Sequence, residues 1–304
     1  MNESSADADL LVVGAGPAGV AAAVMASSLR MRTTVIEAAR VGAKVEAIGS
    51  LENVPGGWTT GQALAEALAA DIARHQEAGR LELLSGRAVR VDGQTDRAEV
   101  TLEDGRVLTA GAVVVATGVT TLGAADVDWI EAPDDLWVPP LWRATAEDLE
   151  GRHVVVLGAD RPLGTWLRAH PQTAVHLDVL YPAGDSYKTD EVTDDPRLRL
   201  DLVERVAVAP IPGGRFRVTA HHPQGGSHTF TTEAVLSNMG SKPAALAGLV
   251  TGPDGYCPPE QQHPRVLVAG DLKGARLQRI AVAVGDGSRA SLLPYYEAQA
   301  LSVS

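Results

Sequence analysis

Cysteine is nearly absent: Cys257 is the single one in 304 residues. One thiol excludes an intrachain disulfide and any CxxC redox pair. Positive charge is also short. There are 26 Lys and Arg against 38 Asp and Glu, a net charge of −12. Nucleic acid and anionic membrane both reward clustered cations, so neither is expected as a partner. No stretch approaches the roughly 20 apolar residues of a membrane span. The opening MNESSADAD is polar and acidic, the opposite of a secretory leader, and reads as a frayed tail. A cytoplasmic protein is the resulting expectation. The eight histidines are scattered without metal-ligand spacing, so no metal is expected. There is no G-x-S-x-G motif and no arguable pair of catalytic carboxylates, so no catalytic residue is named.

What is present is concentrated in residues 10–37. Leu10–Val13 is a short apolar run that reads as a buried parallel strand. It breaks into Gly14-Ala15-Gly16-Pro17-Ala18-Gly19, and an Ala-rich stretch at helical spacing follows. Thr33–Ile36 is a second, β-branched strand ending in Glu37. This is the order of a dinucleotide-binding βαβ unit. Gly14 allows the tight turn, Gly16 admits a pyrophosphate to the helix N-terminus, and Gly19 permits close packing. Glu37 is placed to accept hydrogen bonds from a ribose diol. The agreement of strand, glycines, helix, strand and acid makes the signal specific, where a lone G-x-G-x-x-G would be weak.

The chain is long enough for two domains. Residues 38–57 read as a loop with a turn cluster at Asn53-Val54-Pro55-Gly56-Gly57. Leu64, Leu68 and Ile72 lie four apart in a helix that Thr60 would cap. Residues 81–115 read as short strands, with Glu103-Asp104-Gly105 as a hairpin turn. Further strands read at 152–157, 176–181, 203–209, 215–221 and 228–237.

Five motifs in this order, GAGPAG with Glu37, LENVPGG at 51–57, VVVATG at 113–118, VLVAGD at 266–271 and VAVGDGSRA at 282–290, resemble the low-molecular-weight thioredoxin reductases and related two-dinucleotide flavoproteins. The resemblance covers about 1–120 and 263–298. It implies an α/β fold of two Rossmann-like three-layer dinucleotide-binding domains, the second inserted in the first. The FAD-binding domain would be residues 1–118 and 242–304. A degenerate NAD(P)H-binding-like domain would be 119–241. The resemblance implies FAD as cofactor, with Gly14, Gly16, Pro17, Ala18, Glu37 and Ala38 at its pyrophosphate and ribose. Lys44, Val45 and Asn53 would approach the flavin, Lys44 standing where the family usually has Gln. Ala88, Ala116, Thr117 and Gly118 would lie along the cofactor. Gly270 and Asp271 would meet its ribityl-phosphate region, and Arg279 and Ile280 its isoalloxazine. The family's last helix, near Gly285-Asp286-Gly287, points its N-terminal end at the flavin, where it favours negative charge. A homodimer is also implied.

The middle of the chain departs from the family. RHVVVL at 152–157 leads into Gly158-Ala159-Asp160-Arg161-Pro162-Leu163-Gly164, by position the NADPH glycine loop. Asp160 replaces its second glycine and would repel a pyrophosphate. Pro162 removes an amide that should face phosphate. After HLDVLY at 176–181 the expected arginine pair is missing, and only Lys188 follows. The family's Cys-x-x-Cys is replaced by Trp137-Val138-Pro139-Pro140-Leu141-Trp142-Arg143.

The expected function is therefore an FAD-dependent oxidoreductase without a redox disulfide, acting directly at the flavin on a small organic substrate or electron acceptor. Trp137 and Trp142 either cover the core or line a pocket for that substrate. Two alternatives stay open. One is an NAD(P)H-dependent flavin reductase of a protein or quinone-like acceptor. The other is a non-catalytic FAD-binding module for redox sensing or interaction.

Overall fold

A computed structural model describes residues 7–299; the expected frayed tail falls mostly outside them. The chain forms β1 (Ala8–Val13), α1 (Pro17–Ser28), β2 (Thr33–Glu37), α2 (Ala43–Glu46), α3 (Gly61–Glu77), β3 (Leu81–Ser85), β4 (Ala88–Gly93), β5 (Ala98–Leu102) and β6 (Val107–Val115). There follow β7 (Val119–Thr121), β8 (Ile130–Glu131), α4 (Ala146–Leu149), β9 (His153–Leu157), α5 (Pro162–Ala169), β10 (His176–Tyr181) and β11 (Leu198–Leu202). The remainder is β12 (Arg205–Ile211), β13 (Arg215–His221), β14 (Ser227–Thr232), β15 (Ala234–Ser237), β16 (Ser241–Pro243), β17 (Val266–Val268) and α6 (Ile280–Ala298). Among the described residues no helix is long and apolar enough to cross a membrane.

Two compact units result. One takes residues 7–47, 51–120 and 242–299 of those described, the other 48–50 and 121–241. In the first, β3-β2-β1-β6 run parallel and β17 joins β6, while β5 and β4 continue from β6 antiparallel. The nine residues of β6 serve two partners on one edge. Val107–Ala110 pair with β5, and Val113–Val115 pair with β17. Alternation along β1 divides its side chains between the two faces of the sheet. Leu11 and Val13 enter a core with Val91, Val100 and Val266, while Leu10 and Val12 are equally buried on the opposite face. Helices α1 and α6 pack together, and small residues permit their approach. A Cβ on Gly287 would run into the carbonyl oxygen of Ala18. Thr60 caps α3 as the sequence suggests, its hydroxyl accepting from the Ala63 amide at 3.3 Å.

The second unit also has three layers. Its parallel sheet β11-β10-β9-β15 carries α5 on one face and the sheet β14-β13-β12-β8 on the other. Val154 and Val156 join the α5 core, and Val155 and Leu157 join the opposite one. Burial on both faces explains why HVVVL reads as an unbroken apolar run.

Two sequence expectations need correction. The loop at 38–57 contains the short helix α2, entered through Gly42 at φ 71°. The run at 228–237 is two strands: β14 pairs antiparallel with β13, and β15 pairs parallel with β9. The chain changes sheets at Glu233, where the Thr232 hydroxyl bonds the His153 and Ala234 carbonyls. Periodicity could not show this, since the residue types suit either sheet.

Two glycines of α6 should respond oppositely to alanine. Gly285 has open space at its Cβ position, so Gly285→Ala should stabilise by about 0.5–1 kcal/mol. Gly287→Ala should destabilise by about 1–3 kcal/mol through overpacking on α1. Urea unfolding of both variants checks the contrast.

Candidate functional site

The first unit's site forms at the carboxyl ends of β1, β6 and β17. Gly14 turns there with φ 95° and its amide donates to the Ile36 carbonyl at 2.8 Å. A Cβ on Gly14 would lie 2.6 Å from the Ala116 carbonyl oxygen, so the glycine turn and the VVVATG motif are in direct backbone contact. A Cβ on Gly19 would strike the Gly14 carbonyl oxygen. Gly16 differs from both: nothing lies within 4 Å of its Cβ position. It is the N-cap of α1, Pro17 opens the helix, and no side chain caps it. The first turn of α1 is thus left without a side-chain cap beside the open space at Gly16, with the positive end of the helix behind it, an arrangement suited to an anion.

Glu37 is held ready beside this seat. Its carboxylate accepts from the Ala15 amide at 2.7 Å and the Ala39 amide at 2.7 Å. Ala38 lies between. An ionised carboxylate has about four lone-pair sites, so two remain for hydroxyl donors. The Glu37 carbonyl accepts from Gly86 at 2.9 Å, which fixes the exit of β3, and Ala88 opens β4 two residues later.

The other expected residues arrive from distant parts of the chain. Ala116 donates to the Val13 carbonyl at 2.8 Å, and Ala269 to the Val115 carbonyl at 3.0 Å. These bonds align the ends of three strands. The Thr117 hydroxyl donates to the Ala244 carbonyl at 2.7 Å; the Gly118 carbonyl accepts from the Ala244 amide at 3.0 Å. Gly270, at φ 72°, has the Ala18 Cβ 2.9 Å from where its own would be. The Gly42 amide bonds the Ala15 carbonyl at 2.9 Å and ties α2 to the glycine turn. Within α2, Val45 is buried and Lys44 Nζ donates to the Val119 carbonyl at 3.3 Å. Arg279 caps α6 and Ile280 begins it. Asn53 sits in an exposed bend.

Asp271, half-buried after β17, is the electrostatic centre of this group. Burial pushes its carboxyl above the ordinary range; Lys44 and Arg279 pull it down, and Asp286 pushes it further up. Asp286 is itself bonded to Lys273 at 2.7 Å. Gln278 Nε2 donates to Tyr256 Oη at 3.1 Å and to the Asp271 carbonyl at 3.3 Å. Ala244, Tyr256 and Lys273 were outside the sequence reading. Their parts come from tertiary contact and leave no local pattern. Cys257 is fully buried, and burial followed by Asp254 pushes its thiol up.

The second unit's glycine loop has the same start and a different end. Gly158 turns at φ 92°, with the Asn238 carbonyl oxygen 2.5 Å from its Cβ position. The next amide, Ala159, is taken by the protein itself: it donates to Asp185 Oδ2 at 3.3 Å. Lys188 Nζ lies 3.0 Å from Asp160 Oδ1 and 2.9 Å from Asp185 Oδ1. Burial pulls the Lys188 ammonium down, but the two carboxylates outweigh it and hold it above its usual value. Pro162 opens α5. In the same unit Trp137 is exposed, and Trp142 is half-buried with the Arg143 guanidinium 4.8 Å over its ring.

A family profile described as pyridine nucleotide-disulphide oxidoreductase matches residues 8–159. The chain belongs to that family. One relative, the alkyl hydroperoxide reductase F protein of Staphylococcus aureus strain NCTC 8325 / PS 47, is 34% identical over 112 residues. That stretch is 36% of this chain and 21% of the relative's length. The protein of the same name from strain Mu50 matches equally. Thioredoxin reductase of Lactococcus lactis superposes with a TM-score of 0.80 at 16% identity, covering 97% of this chain and 100% of that one. Thioredoxin reductase of T. acidophilum gives 0.78 at 19% identity, with 96% and 99% covered. The fold is the two-domain Rossmann architecture of thioredoxin reductases, and the family is one of FAD-binding oxidoreductases.

Two substitutions test the electrostatics. A carboxyl whose folded-state pKa is raised opposes folding when ionised. Asp271→Asn should therefore stabilise the FAD-free protein at neutral pH. The advantage should shrink as pH falls through the raised value and vanish below about 3.8, the unperturbed carboxyl value. Calorimetry between pH 3 and 7 checks this. Lys188→Met leaves Asp160 and Asp185 facing each other without a cation, and should cost about 2–4 kcal/mol at pH 7 by urea unfolding. A lysine with a raised pKa stabilises below its unfolded value, so at neutral pH and above that difference should persist until strongly alkaline buffer deprotonates Lys188.

Proposed function

We propose that the chain binds FAD in the first unit and is an FAD-dependent oxidoreductase of a small organic substrate, with no electron entry through a nicotinamide nucleotide at the second unit's glycine loop. The observation that carries the second clause is the Asp160–Lys188–Asp185 cluster over the Ala159 amide. A phosphate-binding loop needs free amides and positive potential. The Ala159 amide has a carboxylate partner, as Ala15 has in the first unit, but here two carboxylates, Asp160 and Asp185, surround a single cation beside the turn. A pyrophosphate there would meet negative charge in a half-dry site.

The residues of the first unit fit FAD. Gly14 makes the turn, Gly16 leaves room for the pyrophosphate, Pro17 opens α1, and the first helical amide, that of Ala18, faces the pyrophosphate without a side-chain cap. Glu37, fixed by Ala15 and Ala39, accepts from the ribose diol. Ala38, Ala88, Ala116, Thr117 and Gly118 line the dinucleotide, and Gly270 and Asp271 take the ribityl-phosphate region. Lys44, Val45, Asn53, Arg279 and Ile280 stand toward the flavin end. When bound, FAD supplies the hydride and electron transfer, with the substrate as donor and oxygen or another acceptor as the sink. The chain binds, orients and sets the potential around it. Lys44, Arg279 and the N-terminus of α6 would add positive potential at the flavin end. The relatives carry the name of an alkyl hydroperoxide reductase, but one cysteine gives this chain no intrachain dithiol to relay electrons. A cytoplasmic homodimer completes the reading.

An anaerobic titration of the purified protein tests it. The visible flavin band should survive excess NADPH and NADH and bleach with dithionite. Rapid bleaching by either nucleotide would overturn the closed-loop reading. Gly16→Leu should leave thermal stability near wild type, because its side chain enters open space, and should abolish FAD retention. Full FAD occupancy in that variant would refute the assigned seat.

A further inference from the structure

We propose that His153, His176 and Asp178 of the second unit form a binding site for a divalent transition-metal ion such as Zn(II). No spacing in the sequence suggests it; parallel strand pairing creates it. His153 opens β9, and the register sets it directly beside His176 on β10. Two residues along β10, Asp178 returns to the same face. The two imidazole Nε2 atoms converge on one carboxylate, His153 at 2.6 Å from Oδ2 and His176 at 3.3 Å from Oδ1. All three ligand atoms lie within 4.8 Å of one another.

The carboxylate is what marks this as a built site. Asp178 is 5% exposed, and its Oδ1 is buried without a hydrogen-bond partner. The nearby His176 nitrogen lacks hydrogen-bond geometry toward it. A buried, underused carboxylate oxygen aimed between two imidazoles is a strong cation seat. The histidine side chains are about half exposed, so an ion can arrive from solvent. Two imidazoles and one carboxylate select zinc and its first-row neighbours over calcium or magnesium. Tetrahedral zinc needs ligand atoms about 3.3 Å apart. His176 Nε2 already stands at that distance from Oδ1, and His153 Nε2, now 2.6 Å from Oδ2, must turn toward the ion, which an exposed imidazole can do. Three protein ligands leave a coordination position for water.

The site lies at the amino ends of β9 and β10, and the Gly158 loop follows the carboxyl end of β9. It is therefore separate from the second unit's glycine loop. An ion here would fasten two neighbouring strands and stabilise the unit that holds them. A second grouping, Asp201, His222 and His228, is the useful comparison. There His222 Nε2 and His228 Nδ1 already bond each other at 3.0 Å, and no buried oxygen among them lacks a partner.

The test is calorimetric titration of ZnCl2 into the chelator-dialysed full chain, with melting curves alongside. The wild type should bind zinc and melt at higher temperature with it. His153→Ala and His176→Ala, both at exposed positions that keep the fold, should lose that equivalent or weaken it more than about tenfold. His228→Ala should bind as wild type does. Absence of zinc binding by the wild type at about 0.1 mM, a concentration far above that needed by a protein zinc site, would overturn the proposal. So would binding that survives in both His153→Ala and His176→Ala.

Discussion

The carbonyl oxygen of Ala116 occupies the place where any side chain on Gly14 would have to go. The first unit depends on that contact. It needs β1 and β6 to end at the same level, and their register, Val13 against Val115, provides this. It also needs a residue that turns at φ 95° without a Cβ. Given both, α1 starts beside the strand ends, and the Ala269–Val115 bond adds β17 to the same edge. Gly270 then meets Ala18, and Gly287 meets the Ala18 backbone. One close approach thus fixes the positions of the glycine turn, the ATG segment and Asp271.

The two glycine turns of the chain differ in their electrostatics more than in their backbone path. Both follow a buried parallel strand, and both begin with a glycine at positive φ against a neighbouring carbonyl. At the first, the helix N-terminus has no side-chain cap, and Glu37 accepts from the Ala15 and Ala39 amides with no cation between two acids. At the second, Asp185 reaches across 26 residues to take the amide, and Lys188 binds Asp160 and Asp185 together. The charges of the second arrangement are paired with one another and mostly shielded from water.

Much of this was legible in the sequence because it is encoded locally. The order of strand, glycines, helix, strand and acid over residues 10–37 reports a βαβ unit, since each part has its own short-range cause. Thr60 reads as a cap for the same reason. The change of sheets at Glu233 was not legible. The gathering of Lys44, Arg279 and Asp286 around Asp271, residues more than 200 positions apart at the extremes, was expected only through the family resemblance, since no local pattern records it.

The sequence by itself determined the turn chemistry, the buried strands, the single cysteine and the presence of an acid and a proline at 160 and 162 of the second glycine turn. These follow from single residues and their immediate neighbours. The tertiary structure alone decided that Ala244 would anchor Thr117 and that Asp185 and Lys188 would close over Asp160. It alone set two histidines 23 residues apart beside one buried carboxylate. Each of these rests on strand register and loop return, which pair residues by position in space; no local pattern of residue types records that pairing.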